Sequence, residues 1–66
     1  METNATYLEK ANNFLIDYGK KITIVDNGDS TFCAYINGML MYHSIPEDRL
    51  QINIMALFFS ALVLQM

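Results

Sequence analysis

Asn37-Gly38 sits between two short apolar runs, residues 31–36 and 39–43. A two-residue type I′ turn needs positive φ at both central positions, and Asn followed by Gly supplies it at the least steric cost. The dipeptide therefore predicts a tight hairpin, and a tight hairpin fixes register. Ile36 is expected opposite Met39, Ala34 opposite Met41 and Phe32 opposite His43, all on one face. Cys33, Tyr35, Leu40 and Tyr42 take the other. Neither face is polar, so such a sheet needs cover on both sides.

The flanking segments extend this unit. Residues 20–25 alternate and are β-branched, which predicts a strand with Ile22 and Ile24 on one face. Residues 26–30, Asp-Asn-Gly-Asp-Ser, are turn formers. Upstream, Tyr7, Leu8, Ala11, Phe14, Leu15 and Tyr18 form one stripe at helical spacing, predicting a helix over 7–18 that Gly19 ends. Thr6 with Glu9 has capping-box spacing, with Thr3 or Asn4 as other caps. Ile16 falls off the stripe, as a scattered surface residue or a partner contact. Downstream, Ser44 with Glu47, Pro46 in a first turn and the acids Glu47 and Asp48 announce a second helix. A strand over residues 50–55 competes, because Leu50, Ile52 and Ile54 alternate with polar residues. The start signal and the helix formers that follow favour helix. From Ile54 to Leu64 only Ser60 is polar, which predicts burial on more than one side.

The expected fold is therefore α+β: helix, three-stranded antiparallel meander, helix, in a single domain over residues 1–66. At 66 residues and 53% hydrophobic composition, the chain has little interior for its apolar side chains. One cysteine cannot close an internal disulfide, and Cys33 with His43 cannot complete a structural zinc site. Association with a second chain is the remaining source of burial. A net charge of −3 argues against nucleic acid and against anionic membranes. The apolar run near the C-terminus is about a dozen residues, against roughly 20 for a membrane span. No basic-then-apolar segment opens the chain, and the lone cysteine fits a reducing compartment. The cytoplasm is the expected location.

Little in the sequence suggests catalysis. Cys33 and His43 fall on opposite faces in the expected register, which disfavours a nucleophile–base pair. Asp26 and Asp29 share a loop with Asn27 and Gly28, yet that loop lacks the length and closing glutamate of a calcium site. No metal, cofactor or catalytic residue is expected. Met39 and Met41 are pliable side chains suited to core filling or to an adaptable binding surface.

Several segments taken together resemble a known family. Leu8-Glu9-Lys10 through Gly19, Val25-Asp26-Asn27-Gly28, Phe32-Cys33-Ala34-Tyr35 and Ser44-Ile45-Pro46-Glu47-Asp48-Arg49-Leu50 follow the first half of the class I chaperones of bacterial type III secretion. Members of that Tir-chaperone-like family continue with further strands and a final helix. The resemblance implies a non-enzymatic, homodimeric protein of the bacterial cytoplasm that serves virulence by binding the N-terminal segment of a secreted effector. It also implies that the second helix, through Leu50, Ile54, Leu57, Phe58, Ala61 and Leu62, contributes the dimer interface. The first helix and the sheet would bind the client through Phe14, Ile16, Ile22, Ile24, Phe32, Tyr35 and Tyr42, in part by strand addition at a sheet edge. An alternative expectation is a small acidic adaptor or inhibitor, phage- or plasmid-borne, that binds one folded target.

Overall fold

The structure is a computed structural model, and it describes residues 3–63. Leu64, which ends the apolar run above, lies outside the described residues. Helix α1 spans Asn4–Leu15 and tightens into a 3₁₀ turn over Ile16–Tyr18. Strands β1 (Ile22–Asp26), β2 (Thr31–Ile36) and β3 (Met39–Pro46) follow. A second 3₁₀ turn, Glu47–Arg49, leads into α2 (Leu50–Val63), so residues 50–55 are helical. The sheet is an antiparallel meander in the order β1-β2-β3. The chain has the expected αβββα architecture.

Local chemistry sets the element boundaries. Thr3 caps α1, its hydroxyl accepting from the Thr6 amide at 3.1 Å, so the helix begins before the expected residue 7. Gly19 adopts the left-handed conformation at φ 69°. The Gly19 amide then donates to the Ile16 carbonyl and the Lys20 amide to the Leu15 carbonyl, which together form a Schellman stop. Lys20 folds inward, and its ammonium donates to the Ala61 carbonyl of α2 at 2.9 Å within the protein. A cation at the negative end of α2 complements that helix's dipole. The link fastens the end of α1 to the end of α2.

Both helices lie on one face of the sheet. Ala11 and Leu15 from α1, Leu50, Ile54, Leu57 and Ala61 from α2, and Ile22, Ala34, Ile36 and Ile45 from the strands form the core. The α2 positions 50, 54, 57 and 61 recur at helical spacing, so one side of that helix is spent on this core. A second side is not covered: Ile52, Met55, Phe59 and Val63 are exposed. The chain itself buries only the sheet side of α2; the other side, expected against a partner, lies open because two helices on one sheet face leave nothing to lie over them.

The hairpin register holds near the turn and then shifts. Ile36 pairs with Met39 and Tyr35 with Leu40, and Asn37 and Gly38 both have positive φ, as the dipeptide requires. Beyond that, Ala34 pairs with Tyr42 and Phe32 with Ile45, not with Met41 and His43. Strand β3 has absorbed two extra residues as bulges. The physical reason is burial. The shift leaves His43 exposed and brings Ile45 into the core in its place, while Met39 at the turn stays exposed. Ser44 is likewise corrected. It lies in β3 at φ 57° and its Oγ is 3.3 Å from His43 Nδ1, so it does not cap the second helix. Entry to that helix runs through extended Pro46, with Glu47 and Asp48 in the first turn where the dipole favours them.

Candidate functional site

The described part of the molecule is a thin slab with Cα extents of 32 × 27 × 14 Å. One layer of strands and one layer of helices give that thickness, so each layer has an outer face. Each outer face carries exposed apolar residues, and the two differ in shape.

The helical face is concave. Between α1 and α2 runs a groove of about 460 Å³, lined by Tyr7, Lys10, Ala11, Phe14, Met55, Phe58 and Phe59. Its aromatic wall is held by ring contacts. Phe14 stacks on Tyr18 with centroids 5.5 Å apart, meets Phe58 edge-on at 5.5 Å, and Phe58 meets Phe59 edge-on at 6.1 Å. Such edge-to-face and stacked pairs favour a fixed wall over loose rings. Phe14 and Phe59 are nevertheless 50% and 63% exposed. Lys10 is the one charged residue in the lining.

The sheet face is flat. Thr23, Val25, Cys33, Tyr35 and Leu40 alternate away from the core residues of the same strands. No charged residue stands among them. Val25, Leu40 and neighbouring Tyr42 are exposed, and Cys33 and Tyr35 are half-buried.

Each edge of the sheet carries a local feature that hinders pairing with another strand. On β1, the Asn12 side chain donates to the Ile22 carbonyl at 2.9 Å and accepts from the Ile22 amide at 2.8 Å. It thus satisfies both polar groups of an outward-facing peptide as a neighbouring strand would. On β3, two bulges break the ladder spacing, Ser44 has positive φ, and Pro46 has no amide to donate. Bulges, proline and covered peptides are devices that keep an edge from pairing with another chain.

The expected site residues divide accordingly. Leu50, Ile54, Leu57 and Ala61 are at most 5% exposed and belong to the chain's own core, so their assignment to a dimer interface is corrected. Phe58 and Leu62 are half-buried against that core. Ile22 is buried as well, which corrects its assignment to a client surface, while Ile24 and Phe32 are half-buried against the core. Phe14, Ile16 and Tyr42 are exposed and Tyr35 is half-buried, so these four remain able to meet another protein. Phe14 lines the groove, Tyr35 lies on the sheet face, and Ile16 stands outside both. The residues the sequence reading missed, Met55 and Phe59, are signalled by the very run that was read as buried. Their spacing from Ile52 and Val63 marks a second apolar stripe on α2.

The polar groups are engaged in local structure. Cys33 Sγ donates to Asn27 Oδ1 at 3.3 Å, and His43 meets Ser44. In the 26–30 loop, Asp26 Oδ1 accepts from the Gly28 amide at 2.8 Å, and Asp29 Oδ1 accepts from the Thr31 hydroxyl and amide. These bonds hold the Asp29 carboxyl below its ordinary range, the Thr31 hydroxyl being the largest cause. Among the described residues, no group of three or more His, Cys, Asp or Glu is placed to hold a metal ion. Among the same residues, no helix is long and apolar enough to cross a membrane. Compared with protein-family models, curated proteins and solved structures, the chain matches none.

Proposed function

We propose that this chain is a non-enzymatic protein-binding protein of the secretion-chaperone type. In this reading it works in the bacterial cytoplasm as a homodimer and holds the N-terminal segment of a secreted effector. One observation carries the protein-binding part of the reading: a thin two-layer domain presents an apolar face on each side, far more than scattered surface residues would give. Two faces suit two partners, a second copy and a client. The resemblance of the element order and of residues 44–50 to the chaperone family supports the type of client.

Two measurements test the reading. Light scattering at tens of micromolar is expected to give the mass of a dimer. Capture from the native host with chemical cross-linking is expected to recover one secreted protein, linked through its N-terminal region. A monomer with no such partner overturns the proposal. A folded cytosolic protein recovered instead, linked through its surface, would establish the alternative of a small adaptor or inhibitor.

A further inference from the structure

We infer that Asn27-Gly28 is a self-modifying site. The Gly28 nitrogen closes on Asn27 Cγ with Asp26 as base, ammonia leaves, and water opens the resulting succinimide to aspartate or isoaspartate. The inference does not depend on what the chain binds. It is carried by a comparison with Asn37-Gly38, the same dipeptide held differently in the same chain.

Asn37 is exposed, yet both ends of its side chain are bound to the main chain of other segments. Its Oδ1 accepts from the Lys21 amide at 2.9 Å, and its Nδ2 donates to the Gly19 carbonyl at 3.2 Å. The Asn37 amide donates in turn to the Lys21 carbonyl at 3.0 Å. Ring closure requires an asparagine side chain to swing onto the amide nitrogen that follows it. At Asn37 that motion strips both side-chain bonds and cuts the turn's link to the end of α1 and the start of β1. The folded hairpin therefore opposes the reaction there.

Asn27 is restrained less. Its Nδ2 donates to the Thr31 hydroxyl at 3.2 Å, and its Oδ1 accepts from the Cys33 thiol at 3.3 Å. The thiol is a weak donor, and both partners are side chains with rotatable bonds of their own. Residues 26–30 are all exposed, and the space beside Gly28 is open, since a Cβ built there meets nothing within 4 Å. The base is already in place. The Gly28 amide, the nucleophile of the ring closure, donates to Asp26 Oδ1 at 2.8 Å. That is hydrogen-bond reach for a group that takes a proton from a reacting atom.

The first step balances within the chain. Gly28 gives its amide proton to Asp26 Oδ1 as the N–Cγ bond forms. The Cγ–Nδ2 bond then breaks, and the departing amine takes that proton and leaves as ammonia, which restores the Asp26 carboxylate. Water next adds to one of the two ring carbonyls, and the ring nitrogen regains a hydrogen. Addition at Cγ gives aspartate. Addition at the main-chain carbonyl gives isoaspartate, with the backbone rerouted through Cγ. Either product removes the amide donor to Thr31 and adds a negative charge beside Asp26 and Asp29.

Ageing of the full chain for weeks in neutral buffer at physiological temperature tests this, with peptide mapping by mass spectrometry. Fragmentation that separates isoaspartate from aspartate locates each product. In the folded chain, product at Asn27 is expected to form about tenfold or more faster than at Asn37, the rate ratio that one or two retained hydrogen bonds set. In guanidinium, where the fold restrains neither dipeptide, the two rates are expected to converge. Asp26→Asn keeps an oxygen that accepts from the Gly28 amide but cannot take its proton, and is expected to slow the reaction at Asn27 severalfold. Asp26 is exposed, so this variant should keep the wild-type fold, which circular dichroism reports. The ratio of the two sites in the wild-type chain decides the matter without any variant. Equal rates at the two sites in the folded chain, Asn37 ahead of Asn27, no product at Asn27, or an undiminished rate in folded Asp26→Asn overturns the inference.

Discussion

The two apolar faces of this domain are built from similar residue types, yet they arise in different ways. The sheet face follows from strand alternation: Cys33, Tyr35 and Leu40 point away from the core because Ala34 and Ile36 point toward it. The helical face arises because α2 is apolar on both sides. Its inner stripe of Leu50, Ile54, Leu57 and Ala61 is buried, and its outer stripe of Ile52, Met55, Phe59 and Val63 is not. Alternation yields a flat surface; two adjacent cylinders yield a groove. The comparison teaches that composition alone does not tell a core stripe from a binding stripe. Which stripe the sheet takes does.

The sharpest way to break that distinction is to cut each stripe of α2 in turn. Leu57 is fully buried, and Leu57→Ala should cost about 2–5 kcal/mol, lost methyl groups plus the cavity left behind. In a chain this small that is a large share of total stability. Phe59→Ala, two residues on and about 200° round the helix, should leave thermal unfolding within about 0.5 kcal/mol of wild type. Equal losses at the two positions, measured by denaturant unfolding, would show that the outer stripe is core after all.

The hairpin that sets the sheet face provides the next test. Gly38 has φ +84°, and a Cβ built there meets nothing within 4 Å, so conformation and not crowding is at stake. Gly38→Val should cost about 1–3 kcal/mol through strain at that φ, and Gly38→Asn distinctly less, since Asn tolerates the left-handed region. Equal unfolding midpoints for the two variants would sink the assignment of a turn that demands positive φ.

A third change separates the faces by function. Tyr35→Glu puts a charge on the flat face, next to Leu40. It should convert the proposed dimer to monomer in light scattering while leaving binding at the helical face unchanged. Phe59→Glu should do the reverse. Loss of dimer and peptide binding together in either variant would merge the two faces into one site.

How much of this was legible beforehand differs by element. The αβββα order follows from Asn37-Gly38, Gly19 and the alternation at Ile22 and Ile24, all of which are local signals. The bulges of β3 were not legible. Their cause is tertiary: Ile45, far from the turn, competes with His43 for a core position, and only packing reveals the outcome. Ser44 shows the same limit, since its capping-box spacing to Glu47 is real but the strand claims it first. The surface assignments failed on α2 for a related reason. Periodicity in a helix without charges identifies two apolar stripes and gives no sign of which one faces in. The Asn12 bridge to Ile22 was invisible as well, because it joins a helix to a strand through a side chain that reads as solvent-facing.

The smallest expected effect concerns a part of the molecule remote from the helical groove. Asp29 in the 26–30 loop has its carboxyl range lowered chiefly by the Thr31 hydroxyl; desolvation opposes this, and backbone bonds lower it further. A group whose folded value lies below its unfolded value of 3.8 binds protons more readily when unfolded. Its stabilising contribution is therefore fully present above pH 3.8 and is lost as pH falls through the lower, folded value. The carboxyl is fully exposed, so solvent screens the effect. Asp29→Asn should flatten the acid limb of the unfolding curve slightly and change nothing at neutral pH beyond loss of the same small contribution. If the groove is the client site, peptide affinity at neutral pH should be indifferent to Asp29→Asn, because no residue of the loop lines the groove. A peptide affinity that tracks this substitution would place the loop inside the binding surface and redraw the boundary between the two faces.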